Sequence, residues 1–251
     1  MSANGNNIIQ LHNVTKSYGG VIANRDVSLT VERGSITGLI GPNGSGKTTL
    51  FNSIVGYHPI DSGSIKFEDK EISSLHVPDI ARLGLLRTFQ TTRIYGKMDC
   101  LQNMLISVPH RKARFFDMFD REKPEVIEKA EHLLGFVGLY EKRFLLAGSL
   151  SFGQQKLLEF AMALMNEPTV LLLDEPTAGI NPTLINGLLD RLKRANTQFG
   201  ITLVIIEHNM RVIMNMASKI YCLAHGEMLA SGKPAEIQND QRVIDAYLGA
   251  H

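Results

Sequence analysis

The first third of the chain alternates apolar and polar positions with the two-residue period of β-strands. Residues 26–32 alternate in this way and predict a half-buried antiparallel strand. After Gly34, residues 35–40 are more continuously apolar, which predicts a buried strand. Alternation returns at 64–68, and a turn is expected directly after it, at Asp69-Lys70. The start of the chain is therefore predicted to be rich in strands.

Elsewhere the period lengthens to that of amphipathic helices, in which apolar residues recur three and four positions apart. The predicted helices lie at 47–55, 124–134, 152–165 and 184–195. Two further apolar runs, 169–173 and 201–206, predict strands on either side of the last of these helices. Strand, helix and strand in this order indicate a parallel α/β sheet. A hairpin is predicted from strands at 219–224 and 227–231, with its turn at His225-Gly226. A final helix is predicted at 243–248.

Composition removes several classes of protein. The 251 residues include 26 Lys and Arg against 25 Asp and Glu, so a net charge of +1 gives no electrostatic reason to expect a nucleic-acid partner. The apolar runs are strand-sized, far short of the ~20 residues that a membrane-spanning helix needs. The first residues lack the basic and apolar regions of a signal peptide. Cys100 and Cys222 have no metal-ligand spacing and suit a reducing cytoplasm.

Residues 41–48 fit the phosphate-binding pattern G-x-x-x-x-G-K-[ST] between a predicted strand and a predicted helix. Glycines allow the backbone N–H groups of such a loop to point inward at phosphate oxygens, and the following helix N-terminus adds to the attraction. Lys47 is expected to reach the β- and γ-phosphates, and the Thr48 hydroxyl to bind Mg²⁺. The alternative, a glycine-rich turn that matches by chance, is disfavoured by the strand–loop–helix context.

Two acidic residues, Asp174 and Glu175, follow the apolar run 170–173. The carboxyl end of a buried strand is where α/β sheets bind ligands. Asp174 is expected to hold Mg²⁺, and Glu175 to polarise an attacking water. In the absence of the phosphate-binding loop, the two acidic residues would be interpreted equally well as the solvent-exposed end of a strand.

Residues 150–155, Leu-Ser-Phe-Gly-Gln-Gln, precede an apolar helix. In a structural interpretation, Ser151 caps that helix. In a functional interpretation, the same helix terminus binds an anion such as a γ-phosphate, and Gly153 allows close backbone approach.

Together these segments resemble the nucleotide-binding subunit of an ABC transporter, over essentially the whole chain. The loop at 41–48 matches the Walker A motif and 170–175 the Walker B motif. By the same resemblance, Gln90 matches the Q-loop glutamine, His208 the switch histidine, residues 178–181 the D-loop, and Tyr18 the aromatic residue that stacks on adenine. Residues 150–154 match the L-S-G-G-Q signature except at Phe152.

The motifs most resemble the ATPases of branched-chain (hydrophobic) amino acid importers. The segments that carry this likeness are 81–90, 151–155, 178–182 and 243–249. Phe152 stands where that family more often has Tyr, and residues 91–124 are not typical of it. ABC ATPases for other solutes, of urea or lipopolysaccharide type, and a soluble ABC ATPase without a transport role stay open as alternatives.

The resemblance implies a P-loop NTPase of ABC type, a mixed sheet core with an antiparallel β subdomain and a helical subdomain. We interpret residues 1–251 as one ABC ATPase domain. Its parts are an antiparallel β part at about 1–35 and 60–75, a P-loop core at about 36–90 and 166–218, a helical part at about 91–165, and a C-terminal hairpin and helix at 219–251.

The resemblance also implies the ligands and partners. Glu175, His208 and Gln90 are the expected catalytic residues, and Thr48, Gln90 and Asp174 the expected Mg²⁺ ligands. The residues expected to contact ATP are Tyr18, Gly41, Pro42, Asn43, Gly44, Ser45, Gly46, Lys47, Thr48, Thr49, Ser151, Gly153 and Gln154. The expected partners are membrane-embedded permease subunits and a second ATPase chain, identical or related, in a head-to-tail dimer. The complex would lie at the cytoplasmic face of the inner membrane.

Overall fold

The computed structural model describes residues 6–88, 94–108 and 123–248. The chain divides into two compact units, which we call the core unit (1–87, 169–176 and 195–251) and the helical unit (88–168 and 177–194).

The strands and helices follow one another along the chain in the order that the sequence pattern indicates, with the addition of a 12-residue strand at Asn7–Tyr18 and of several short elements. The strands are β1 (Asn7–Tyr18), β2 (Val21–Glu32), β3 (Ile36–Ile40), β4 (Ser62–Phe67), β5 (Lys70–Glu71), β6 (Leu85–Arg87), β7 (Val170–Asp174), β8 (Thr202–Ile206), β9 (Lys219–Ala224) and β10 (Glu227–Gly232). The α-helices are α1 (Lys47–Ile54), α2 (Val77–Arg82), α3 (Cys100–Ile106), α4 (Pro124–Val137), α5 (Phe152–Leu164), α6 (Pro182–Phe199), α7 (Met210–Met216), α8 (Pro234–Gln238) and α9 (Gln241–Leu248). Two 3₁₀ helices lie at Tyr140–Lys142 and Ala147–Ser149.

An antiparallel sheet with the strand order β2-β1-β4-β5 forms one layer of the core unit. Apolar residues face one another across it, as at Ile9, which pairs with Val31 on one side and Phe67 on the other. The antiparallel strands predicted at 26–32 and 64–68 are confirmed. The predicted turn at Asp69-Lys70 was one residue late, because Glu68 and Asp69 take the positive φ values that a two-residue hairpin turn requires.

The second sheet of the core unit is mixed, with the order β10-β9-β3-β8-β7-β6. Strands β6 to β9 and β3 run parallel, and only β10 pairs antiparallel, through the predicted hairpin about His225-Gly226. Every residue of β3, β7 and β8 is buried, which explains why these strands read as continuous apolar runs. The predicted α/β fold with a parallel sheet core is confirmed, and the carboxyl ends of β3, β7 and β8 lie side by side.

In the helical unit, α3, α4 and α5 pack against one another. Helix α4 extends past the predicted end at residue 134 to Val137, where Gly138 in the left-handed conformation ends it. Its buried face includes Leu133, Leu134 and Val137. Among the helices that the structure describes, none is both long and apolar enough to cross a membrane.

Candidate nucleotide site

The phosphate-binding loop connects the buried strand β3 to helix α1. Two of its glycines occupy positions that no other residue could take without distortion. Gly41 has a φ of 146°, and a Cβ there would lie 2.1 Å from the Leu223 carbonyl oxygen. Gly46 has a φ of 95° and caps α1, and a Cβ there would lie 2.3 Å from the Ala23 carbonyl oxygen. The loop is therefore wrapped closely by the neighbouring strands.

Lys47, the first residue of α1, folds back over the loop. Its Nζ donates hydrogen bonds to the carbonyl oxygens of Gly41 at 2.8 Å and Pro42 at 2.9 Å. Burial lowers the pKa of Lys47, and the charge of Glu175 opposes that shift. The ammonium group is thus held inside the loop, in the position from which it can meet phosphate oxygens.

An open cleft of about 470 Å³ lies against this loop. Its lining consists of Val21, Ile22, Ala23, Asn43, Gly44, Ser45, Gly46, Lys47, Thr48, Thr49, Glu175, His208, His225 and Gly226. Seven consecutive predicted residues, 43–49, therefore share one cleft with Glu175 and His208. The sequence does not indicate that residues 21–23 and the hairpin turn at 225–226 line the cleft. Those residues belong to no motif, and only the fold brings them to the phosphate-binding loop.

Glu175 and His208 follow the neighbouring parallel strands β7 and β8, which brings two distant residues together. Glu175 Oε1 lies 2.7 Å from His208 Nε2. The backbone at Glu175 has a φ of 49°, and its N–H donates to the Ile206 carbonyl at 2.9 Å. This conformation turns the Glu175 side chain toward the cleft at the end of β7, within reach of the histidine.

Asp174 is nearly fully buried at the end of β7. Its Oδ2 accepts a hydrogen bond from Arg87 Nη2 at 2.5 Å, while no described residue hydrogen-bonds its buried Oδ1. A buried carboxylate oxygen without a partner is costly, and it suits a cation or a cation-bound water. This donor set fits Mg²⁺. Arg87, which also contacts Asn52, lies in the segment 81–90 that carries the family likeness, but the sequence analysis gives it no role in the site.

The signature residues belong to the helical unit, where Ser151 caps α5. The Gln154 N–H donates to Ser151 Oγ at 3.4 Å, and the Ser151 N–H donates to Gln154 Oε1 at 3.1 Å. This capping box confirms the structural interpretation of Ser151. Gly153 packs close to Leu184, and the half-exposed Phe152 ring covers Gly179.

The predicted residues Tyr18, Gly41, Pro42 and Asp174 are not among the described residues that line this cleft. Tyr18 is half exposed, is not among the described cleft residues, and hydrogen-bonds through its Oη to His58 Nε2 at 2.5 Å. Gln90 lies outside the described residues.

Within the described ranges there is also no cluster of three or more His, Cys, Asp or Glu side chains that could hold a metal by themselves. A Mg²⁺ ion here would therefore depend on ligands such as Thr48, Asp174 and the nucleotide.

Comparison with protein-family models gives two matches. A model described as "ABC transporter" matches residues 24–178, and one described as "Branched-chain amino acid ATP-binding cassette transporter" matches residues 227–251.

Similar proteins match nearly end to end. The chain is 39% identical to the probable branched-chain amino acid transport ATP-binding protein LivG of Archaeoglobus fulgidus, with 97% of this chain and 96% of that protein covered. It is 36% identical to the high-affinity branched-chain amino acid transport ATP-binding protein BraF of Pseudomonas aeruginosa, with 96% and 98% covered.

Solved structures agree with the fold. The ADP conformation of an ATP-binding cassette of an ABC transporter superposes with a TM-score of 0.87 at 33% identity, over 97% of this chain and 99% of that chain. A dimeric cassette in a post-hydrolysis state, bound to ADP and phosphate, gives a TM-score of 0.76 at 26% identity, over 90% and 98%.

Proposed function

We propose that this chain, which belongs to the ABC transporter family, is the ATP-hydrolysing subunit that powers import of branched-chain or other hydrophobic amino acids. The observation that carries the choice of cargo is the similarity at 36–39% identity to two proteins named for branched-chain amino acid transport. The match at residues 227–251 supports the same choice independently of the nucleotide motifs.

In this proposal the cleft binds the triphosphate of ATP. The N–H groups of residues 43–49 surround the phosphates, and Lys47 neutralises their charge. Thr48 and Asp174, together with Gln90, would hold Mg²⁺, which when bound withdraws charge from the phosphate oxygens. The buried Asp174 Oδ1, to which no described residue hydrogen-bonds, is the observation in favour of this arrangement.

Glu175 acts on the attacking water in the proposed reaction. Its carboxylate accepts the water proton as the water approaches the γ-phosphorus, which makes the oxygen a stronger nucleophile. His208, whose Nε2 lies 2.7 Å from Glu175 Oε1, keeps the carboxylate in place. Arg87 performs the corresponding role for Asp174 through its hydrogen bond to Oδ2.

A second ATPase chain, identical or related, completes each site in the proposed dimer. Ser151, Gly153 and Gln154 of one chain would face the ATP held by the P-loop of the other, with the N-terminus of the 13-residue helix α5 directed at the γ-phosphate. ATP would close the dimer, and hydrolysis would open it.

Permease subunits in the membrane would receive this movement, with Gln90 at the junction to them. The chain would lie at the cytoplasmic face of the membrane, where ATP is available.

The test is uptake of labelled leucine, isoleucine and valine by cells that lack this chain and are complemented with variants. Wild-type protein should restore uptake, whereas Glu175→Gln should not. Glu32→Gln, an exposed carboxylate at the end of β2 opposite the cleft residues 21–23, is the matched control and should restore uptake fully. Uptake that is equal with and without the chain would contradict the assignment, and a selective loss of urea uptake would assign it to another solute.

A further inference from the structure

The C-terminal helix α9 reaches the first residue of the phosphate-binding loop. The Gly41 N–H donates a hydrogen bond to the Tyr247 hydroxyl oxygen at 2.8 Å. The helix itself is anchored to the core unit by Val243, which is only 2% exposed. Burial raises the pKa of Tyr247 to about 12. A residue 206 positions away in the sequence therefore contacts the loop backbone.

Both backbone polar groups of Gly41 are hydrogen-bonded to side chains. The Gly41 carbonyl oxygen, on one side of the residue, accepts a hydrogen bond from Lys47 Nζ at 2.8 Å. The Gly41 N–H, on the other side, is held by Tyr247. Gly41 itself does not line the cleft among the described residues, whereas residues 43–49 do. Tyr247 thus satisfies an N–H group of the loop that does not face the phosphate cleft.

Gly41 cannot easily adopt another position. Its φ of 146° is accessible to glycine, and the Leu223 carbonyl oxygen closes the space beside its Cα. Three contacts, from Leu223, Lys47 and Tyr247, therefore converge on one residue at the start of the loop. Of the three, only the Tyr247 hydroxyl can be removed by a single-atom change in a side chain that has no proposed contact with nucleotide.

We infer that Tyr247 is a positioning residue for nucleotide binding, which fixes the first peptide of the P-loop and through it the Lys47 ammonium group. This inference rests on the proposed function of the cleft as an ATP site. It gives a role to the C-terminal segment 227–251, which matches the model of the branched-chain class and contains no phosphate-binding motif. That segment thereby forms part of the structural support of the nucleotide site.

The experiment compares two Tyr→Phe variants of the full-length chain. Tyr247→Phe removes the acceptor of the Gly41 N–H and keeps the ring. Tyr221→Phe is the matched control, because the Tyr221 hydroxyl also pairs with backbone, donating to the Thr30 carbonyl at 2.8 Å, and is not among the cleft residues. Isothermal titration calorimetry gives Kd for ATP and for ADP, and urea denaturation gives the stability of each variant.

Tyr247→Phe should raise Kd for ATP and ADP alike by about 10-fold, because a loop N–H loses its partner and the loop geometry relaxes. Its kcat at saturating ATP should stay within about twofold of the wild-type value, since chemistry at Glu175 is untouched. Tyr221→Phe should lower stability and leave both Kd values unchanged.

Two results would overturn the inference while leaving the proposed function intact. One is an unchanged Kd in Tyr247→Phe, which would make the hydroxyl a packing contact only. The other is an equal loss of affinity in both variants, which would trace the effect to general stability. A wild-type chain that bound neither ATP nor ADP would instead overturn the proposed function, and this inference with it.

Discussion

Two glycines of the P-loop, Gly44 and Gly46, provide a sharp test of how the loop is packed, because both have a positive φ and they differ in their surroundings. Gly44 has a φ of 76° and no atom within 4 Å of the space that a Cβ would occupy. Gly46 has a φ of 95°, and its Cβ would lie 2.3 Å from the Ala23 carbonyl oxygen and 2.5 Å from Asn24 Nδ2. Replacing each glycine by alanine therefore separates backbone strain from collision.

The expected magnitudes follow from these distances. A left-handed conformation costs a non-glycine residue about 1–2 kcal/mol, and this strain applies to both variants. Gly46→Ala must in addition move β2 at Ala23 or displace Asn24, which is fully buried and donates to the Gly46 carbonyl. Overpacking of that kind typically costs about 1–3 kcal/mol. Gly44→Ala should therefore lower the free energy of unfolding by about 1–2 kcal/mol, and Gly46→Ala by about 2–5 kcal/mol.

Urea denaturation of the nucleotide-free chain, followed by circular dichroism, measures both values under the same conditions. The difference between the variants matters more than either number, because the strain common to both cancels. If Gly44→Ala destabilised the chain as much as Gly46→Ala, the close approach of β2 to the loop would not exist as described. The reasoning from Cβ contacts would then be wrong.

Three further predictions concern the proposed roles of single side chains. Glu175→Gln should keep ATP binding and lower phosphate release about 10²–10⁴-fold, because the amide cannot accept a proton, and undiminished release would contradict its role. Tyr18→Ala should raise Kd for ATP while Tyr18→Phe should not, because stacking uses the ring face; equal Kd values in a fluorescence titration would indicate packing only. Ser151→Arg should leave ATP binding by the isolated monomer normal, yet slow hydrolysis under dimer-forming conditions roughly 10²–10³-fold, because the residue is proposed to serve the ATP of the opposite chain. Loss of ATP binding by this variant, with its fold intact, would place Ser151 in its own chain's site.

The continuously buried strands could be predicted from sequence, and the shortest elements could not. The 12-residue strand β1 was also missed, because register shifts interrupt its regular pairing and its alternation of buried and exposed residues. Strands β3, β7 and β8 are buried on both faces, so their apolar runs are visible without any knowledge of their neighbours. Strands β5 and β6 have two and three residues, and they are strands only because β4 and β7 pair with them. A segment of that length has no periodicity to read.

The residues of the candidate site also divide into those that could be predicted from the sequence and those that could not. The residues of 41–48 and the pair Asp174-Glu175 stand in contiguous motifs, because one turn or one strand end must present several groups to the same ligand. Arg87, Asn24 and Tyr247 hold those motifs in place, and each contacts a partner far away in the chain. Their contacts are made with single carboxylate or backbone groups, which impose no spacing on the sequence around them.

This division implies that the supporting residues carry no spacing constraint of the kind that makes the motifs recognisable. A phosphate-binding loop must keep its geometry, but any nearby element can supply the group that satisfies a given N–H. Here the acceptor for Gly41 comes from α9, inside the segment 227–251 that matches the model of the branched-chain class. A cassette with a different C-terminal segment would have to satisfy the same N–H by other means. The nucleotide affinity of the loop is therefore open to tuning from outside the motif.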